Sequence, residues 1–160
     1  MKTTYLAAAL TAASLTLAGC ATQVTQVPLN AAGGQSGGGP VHLGAPSKPN
    51  ADGAQPADSV QVYFGRQDHP AVTSRLGDVS FSVRIARKVA TPEGACHEAL
   101  AEAVRKLRAA ALERKANAVI DVSTRFHSTE TDSSTDFTCG VSPSAAAVAV
   151  KGQLVVLGNN

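Results

Sequence analysis

Apolar and polar positions alternate in three stretches of this chain and follow a helical rhythm in a fourth. Val60-Gln61-Val62-Tyr63-Phe64 alternates and predicts a short strand. Val79, Phe81, Val83 and Ile85 share one face of a second strand, with Ser80, Ser82 and Arg84 opposite. From Glu93 to Lys115 the residues are strong helix formers, and Leu100, Ala103, Val104, Leu107 and Ala111 form one apolar stripe. Thr91-Pro92 supplies an N-cap and a proline in the first turn, and Glu93 suits the positive end of the dipole. Asn117 is the expected left-handed residue after the helix. A third strand follows, with Ala118, Ile120, Val122, Thr124 and Phe126 on one face and Asp121, Ser123, Arg125 and His127 on the other. Ser128 to Asp136 reads as a polar loop. Ala145 to Leu157 closes the chain as a long strand with a bulge or bend at Lys151-Gly152. The predicted fold class is α+β, one long helix on a small, mostly antiparallel sheet in the order β-β-α-β-β.

This pattern occupies residues 58–160. Ahead of it, Met1-Lys2 and the apolar run Tyr5 to Leu17 read as a secretion signal, being too short for the roughly 20 residues a bilayer span needs. Leu17-Ala18-Gly19-Cys20 resembles the lipobox of bacterial lipoprotein signals. The resemblance implies cleavage after residue 19 and acylation of Cys20, and several acyl chains give a stable anchor. Ala21 rather than Asp after the cysteine implies, by likeness to the enterobacterial sorting pattern, an outer-membrane location with the domain facing the periplasm. Residues 21–57 hold five of the eight prolines and seven of the fourteen glycines. Such a segment cannot bury enough surface to offset its ordering entropy. It reads, with Cys20, as a tether of residues 20–57, reaching roughly 30–35 Å as a coil and about 125 Å fully extended.

Composition narrows the chemistry. A formal net charge of +2 gives no reason to expect nucleic acid. With aromatics at 4% and no Trp, aliphatic and Ala side chains must fill the core. Cys96 and Cys139 remain once Cys20 is acylated, and an oxidising compartment favours their pairing as a structural staple of helix to sheet. The alternative, a redox-sensing pair, has no CxxC spacing behind it. His97 follows Cys96, but neighbours on a helix diverge by about 100° and do not make one site. No HExxH, GxSxG, P-loop or dinucleotide fingerprint is present, so no cofactor is expected. Glu98 and Glu102, paired with Arg105 and Lys106, read as solvated helix charges. Arg105, Arg108, Arg114 and Lys115 read first as a solvated basic face and second as a surface for an acidic partner or lipid phosphate.

Arg114-Lys115-Ala116-Asn117-Ala118-Val119-Ile120, ending a long helix and opening a strand, resembles a signature of two related groups. One is the Rcs-type outer-membrane stress-sensor lipoproteins; the other is a group of small domains labelled heavy-metal-binding. The lipobox, the Pro-rich stretch and Leu76-Gly77-Asp78-Val79 extend the likeness to the Rcs-type sensors. That likeness also implies a disulfide from the helix region to the region before the last strand, the positions of Cys96 and Cys139. The second disulfide of those sensors has no counterpart here. The leading expectation is a non-enzymatic envelope lipoprotein that senses or binds an envelope protein. A metal- or small-ligand-binding domain and an unrecognised hydrolase are the alternatives.

Overall fold

The computed structural model describes residues 22–29 and 59–158. Cys20, the apolar leader and most of the tether lie outside the described residues. The elements run β1 (Gln23–Pro28), β2 (Gln61–Phe64), β3 (Val72–Ala86), α1 (Pro92–Glu113), β4 (Ala118–Phe126), β5 (Thr129–Thr131), β6 (Asp136–Val141) and β7 (Ala145–Leu157). The fold is α+β, but strand-rich: seven strands in one sheet and one helix, rather than the β-β-α-β-β order the pattern predicts.

The sheet is organised around β7. β3 pairs antiparallel with its whole length, from Ala86 opposite Ala145 to Val72 opposite Leu157. The other edge of β7 is shared. β6 takes Ala146 and Ala147, and β4 takes the positions from Ala149 to Val155. β1 extends β6 antiparallel, and β2 lies parallel beside β4, so the sheet is not wholly antiparallel. β3 and α1 form the crossover between β2 and β4. A central strand packed on both faces reads as almost continuously apolar, as AAAVAVKGQLVVL does.

Helix α1 covers one face. Its cap forms as the sequence predicts: Thr91 Oγ1 accepts from the Gly94 amide at 3.2 Å, with Pro92 opening the helix. Ala95, Cys96, Ala99, Leu100, Ala103, Val104, Leu107 and Ala111 are buried against Val62, Phe64, Val83, Val119, Val122, Phe137, Val148 and Leu154. Four alanines in the stripe let the helix axis sit close to the sheet, and each fully buried Leu or Val contributes about 1.5–3 kcal/mol. A smaller cluster of Tyr63, Ala118, Ile120, Val155 and Leu157 lies on the opposite face.

Four local expectations are corrected. First, β4 does not alternate uniformly. Val119 and Val122 both face the helix while Ala118 and Ile120 face away. The register jumps between Ile120 and Ser123, with Asp121 at φ 52°, so two residues oppose one. That partner is Gly152, where an added Cβ would lie 2.8 Å from Val119 and 2.9 Å from Val122. The bulge expected on β7 is therefore on β4, and Gly152 makes room for it. Second, the left-handed residue ending the helix is Lys115, at φ 59°, not Asn117. The Asn117 side chain instead meets the end of β7: its Nδ2 donates to Leu157 O at 3.0 Å, and Leu157 N donates to its Oδ1 at 2.7 Å. It reproduces a backbone pair where β4 has not yet begun. Third, residues 129–131 and 136–141 are strands rather than loop or its continuation. Fourth, the start of the presumed tether is strand β1. Val27 and Leu29 are buried, and Gln23 to Pro28 run opposite Val141 to Asp136. Pro28 occupies the last position of this edge strand, where a missing N–H is tolerated.

Candidate binding groove and the stapled helix

Cys96 and Cys139 form a disulfide, with Cα atoms 5.8 Å apart. Cys96 stands in the second turn of α1 and Cys139 in β6, so the bond joins the helix to the strand that carries β1. Both half-cystines are fully buried. Thiol exchange needs an accessible sulfur, and neither is accessible here. His97 follows Cys96 on the helix. Its ring stands edge-on to Phe137, 5.4 Å between centroids, and Nε2 lies 3.9 Å from Glu93 Oε1. Neither ring nitrogen has a hydrogen-bond partner. Burial lowers the imidazole below its ordinary value, opposed in part by the Glu93 carboxylate.

The four basic residues singled out on the helix do not converge. Arg105 is exposed and held by Glu102, with Nη2 to Oε1 at 2.6 Å. That hydrogen bond is also the main reason the Glu102 carboxyl sits below its usual value. Arg108 is only 4% exposed, and its Nε donates to Val60 O at 3.2 Å, closing the start of β2 onto the helix. As a partner-binding residue Arg108 is corrected: it is structural, because position 108 belongs to the inward stripe that runs through Val104 and Ala111. Arg114 lies over β3, its Nη1 3.5 Å from Leu76 O, and Lys115 is exposed in the turn after the helix.

A depression runs between α1 and the outer edge of β3. Its volume is about 700 Å³. Ser82, Arg84, Ala86 and Lys88 line one side; Glu98, Glu102 and Lys106 line the other. Among the described residues β3 pairs with β7 alone, so one edge of a 15-residue strand keeps its backbone groups for another partner. Edges of this length are generally protected by charge or twist. Arg75, Asp78 and Arg84 are exposed along it, and Gly77 (φ 107°) bulges it beside Arg114. The sequence supplied each of these residues but not their placement around one groove: Arg84 sits in a strand and Glu102 in a helix, and nothing local shows that β3 forms an edge.

Among the described residues no group of three or more His, Cys, Asp or Glu gathers closely enough to hold a metal ion. No helix among them is long and apolar enough to cross a membrane. Searches with this chain match no protein-family model, no curated protein and no solved structure.

Proposed function

We propose that this chain is a lipid-anchored protein of the bacterial envelope that acts by contact rather than catalysis, receiving an envelope protein in the groove between β3 and α1. One observation carries the binding part of this reading. A long strand edge, with no strand paired on one side among the described residues, runs beside a row of both charge signs: Arg84, Lys88 and Lys106 with Glu98 and Glu102. An extended segment can add to such an edge through backbone hydrogen bonds, while flanking charges select its side chains. The anchoring part rests on Leu17-Ala18-Gly19-Cys20. The buried disulfide is compatible with an oxidising compartment. Buried polar groups support a scaffold role, since several are committed to holding backbone. Thr124 Oγ1 accepts from Thr138 N, Arg108 Nε donates to Val60 O, and the half-buried Asn117 side chain pairs with the Leu157 backbone.

The test is cross-linking in living cells followed by recovery of the chain from the envelope fraction. The expected result is a defined protein adduct that is lost in Arg84→Glu/Lys106→Glu and kept in Lys115→Glu, at equal levels of folded protein. An adduct indifferent to the groove charges would remove the groove from the reading. Labelling with palmitate tests the anchor separately: incorporation should vanish in Cys20→Ala.

A further inference from the structure

Read as a tether, residues 21–57 would give the domain a long leash. The structure fixes the chain much closer to the anchor position. Gln23 is paired with Val141, and Cys20 stands three residues before it. Three residues span at most about 11 Å. The pairing carries this point across the sheet: Val141 lies opposite Ala146, and Ala146 opposite Ile85. The same end of the domain therefore holds the β6–β7 turn, residues 142–144, the loop 87–91 and the start of α1. Arg87 joins these pieces into one surface. Its backbone N donates to Ser144 O at 2.9 Å, and its guanidinium donates to Val89 O at 3.0 Å and Ser142 O at 3.5 Å. From there α1 runs 22 residues toward the opposite end, about 33 Å, finishing near Arg114 and Lys115.

We infer that β1 is the domain's membrane mount. It holds the turn 142–144 and the loop 87–91 against phospholipid headgroups and turns Arg114 and Lys115 away from the bilayer. The inference rests on acylation of Cys20. Arg84 and Lys88 are exposed near the mounted end, and Glu93, also exposed there, offsets part of their charge. Orientation thus comes from the short leash rather than from charge. The hold of β1 is modest: Val27 and Leu29 are buried, while Val24 is 47% exposed. Undocking it releases the described segment nearest Cys20 from the sheet, so one edge strand decides how far the domain stands from the membrane. The mount also sets the Lys88 end of the groove beside the bilayer.

The chain has no Trp, so Lys88→Trp and Lys115→Trp each create a single reporter at an exposed position. The full acylated protein is placed in vesicles of phosphatidylethanolamine and phosphatidylglycerol containing a lipid with a nitroxide on its headgroup. Trp fluorescence at position 88 should be quenched several-fold more than at position 115. Inserting twenty Gly/Ser residues between Ala21 and Thr22 leaves β1 intact and should abolish the difference. Val27→Asp, which undocks β1, should abolish it too; the insertion serves alone if that variant does not fold. Equal quenching at the two positions, or a difference that survives the insertion, overturns the mount while leaving the anchor standing. A chain without acyl groups by mass spectrometry that stays off the vesicles overturns the anchor, and the mount with it.

Discussion

Removing the disulfide gives the sharpest test of how this small domain is held together. In Cys96→Ala/Cys139→Ala the native contacts change little, because both side chains are small and interior. The unfolded chain changes more. The bond closes a loop of 43 residues, and the chain-entropy relation turns that length into about 4 kcal/mol at 25 °C. Two lost sulfurs in a sealed core leave small cavities, each costing about 1 kcal/mol or less. A domain of about 100 residues has roughly 5–15 kcal/mol in total. The variant should therefore lose at least about a quarter of that reserve. Urea unfolding followed by circular dichroism measures this directly. With a slope of about 1–3 kcal/mol per molar urea, the midpoint should fall by roughly 2 M. Hydrogen exchange should show the loss concentrated in β6 and β1, since the bond fastens that pair to the helix. A midpoint within about 0.3 M of the parent would refute the reasoning, because it would mean the unfolded ensemble is already constrained without the bond.

Four further outcomes follow from the geometry. Gly152→Ala sets a methyl 2.8 Å from Val119 and 2.9 Å from Val122 and should cost about 1–3 kcal/mol by overpacking, read as a lowered urea midpoint. Asn117→Ala leaves Leu157 N and O without their partners and should cost about 1–3 kcal/mol, with faster hydrogen exchange confined to the end of β7. Arg105→Ala should change stability by less than about 0.5 kcal/mol because its pair with Glu102 is solvated, whereas Arg108→Ala should cost about 1–3 kcal/mol by stripping the donor from Val60 O; equal effects in thermal melts would contradict the assignment of Arg108 as structural. Burial holds His97 below its ordinary value of 6.5, so the unfolded chain takes up a proton first as pH falls. Stability should decline as pH drops below about 6.5 and level off beneath the folded value, and His97→Leu should flatten that slope between pH 7.5 and 5.5.

What was legible in the sequence is what rests on local signals. Thr91-Pro92 marked the helix start because a cap is made by the residues on either side of it. The faces of β3 from Val79 to Ile85 were readable because one side of that stretch is solvated, which preserves the alternation. Cys96 and Cys139 could be paired because two cysteines remained in the folded segment. The groove was not legible, because it depends on which strand lies at an edge, and that is decided by pairings far apart in the chain.

The misread elements share a cause that is physical rather than statistical. β6 is buried on both faces from Phe137 to Val141, so DFTCGV has no polar side to alternate against, and its Gly and Thr look like loop. Gly140 is there because the Phe126 ring lies where a Cβ would be, 2.2 Å away; Phe126 comes from another strand, and no feature of β6 announces it. β4 carried the opposite error. Its residues alternate well by name, yet Asp121 adopts a left-handed backbone and shifts every later side chain to the other face. β1 shows the limit from a third side. Thr25, Val27 and Leu29 do alternate inward, but six residues between a leader and a Gly/Pro-rich stretch are too few to outweigh their surroundings. Their partner strand, β6, lies more than a hundred residues away along the chain. A strand whose stability comes wholly from a distant edge reads as linker in isolation and can return to linker when that edge is withdrawn, which is the property a mount between anchor and domain requires.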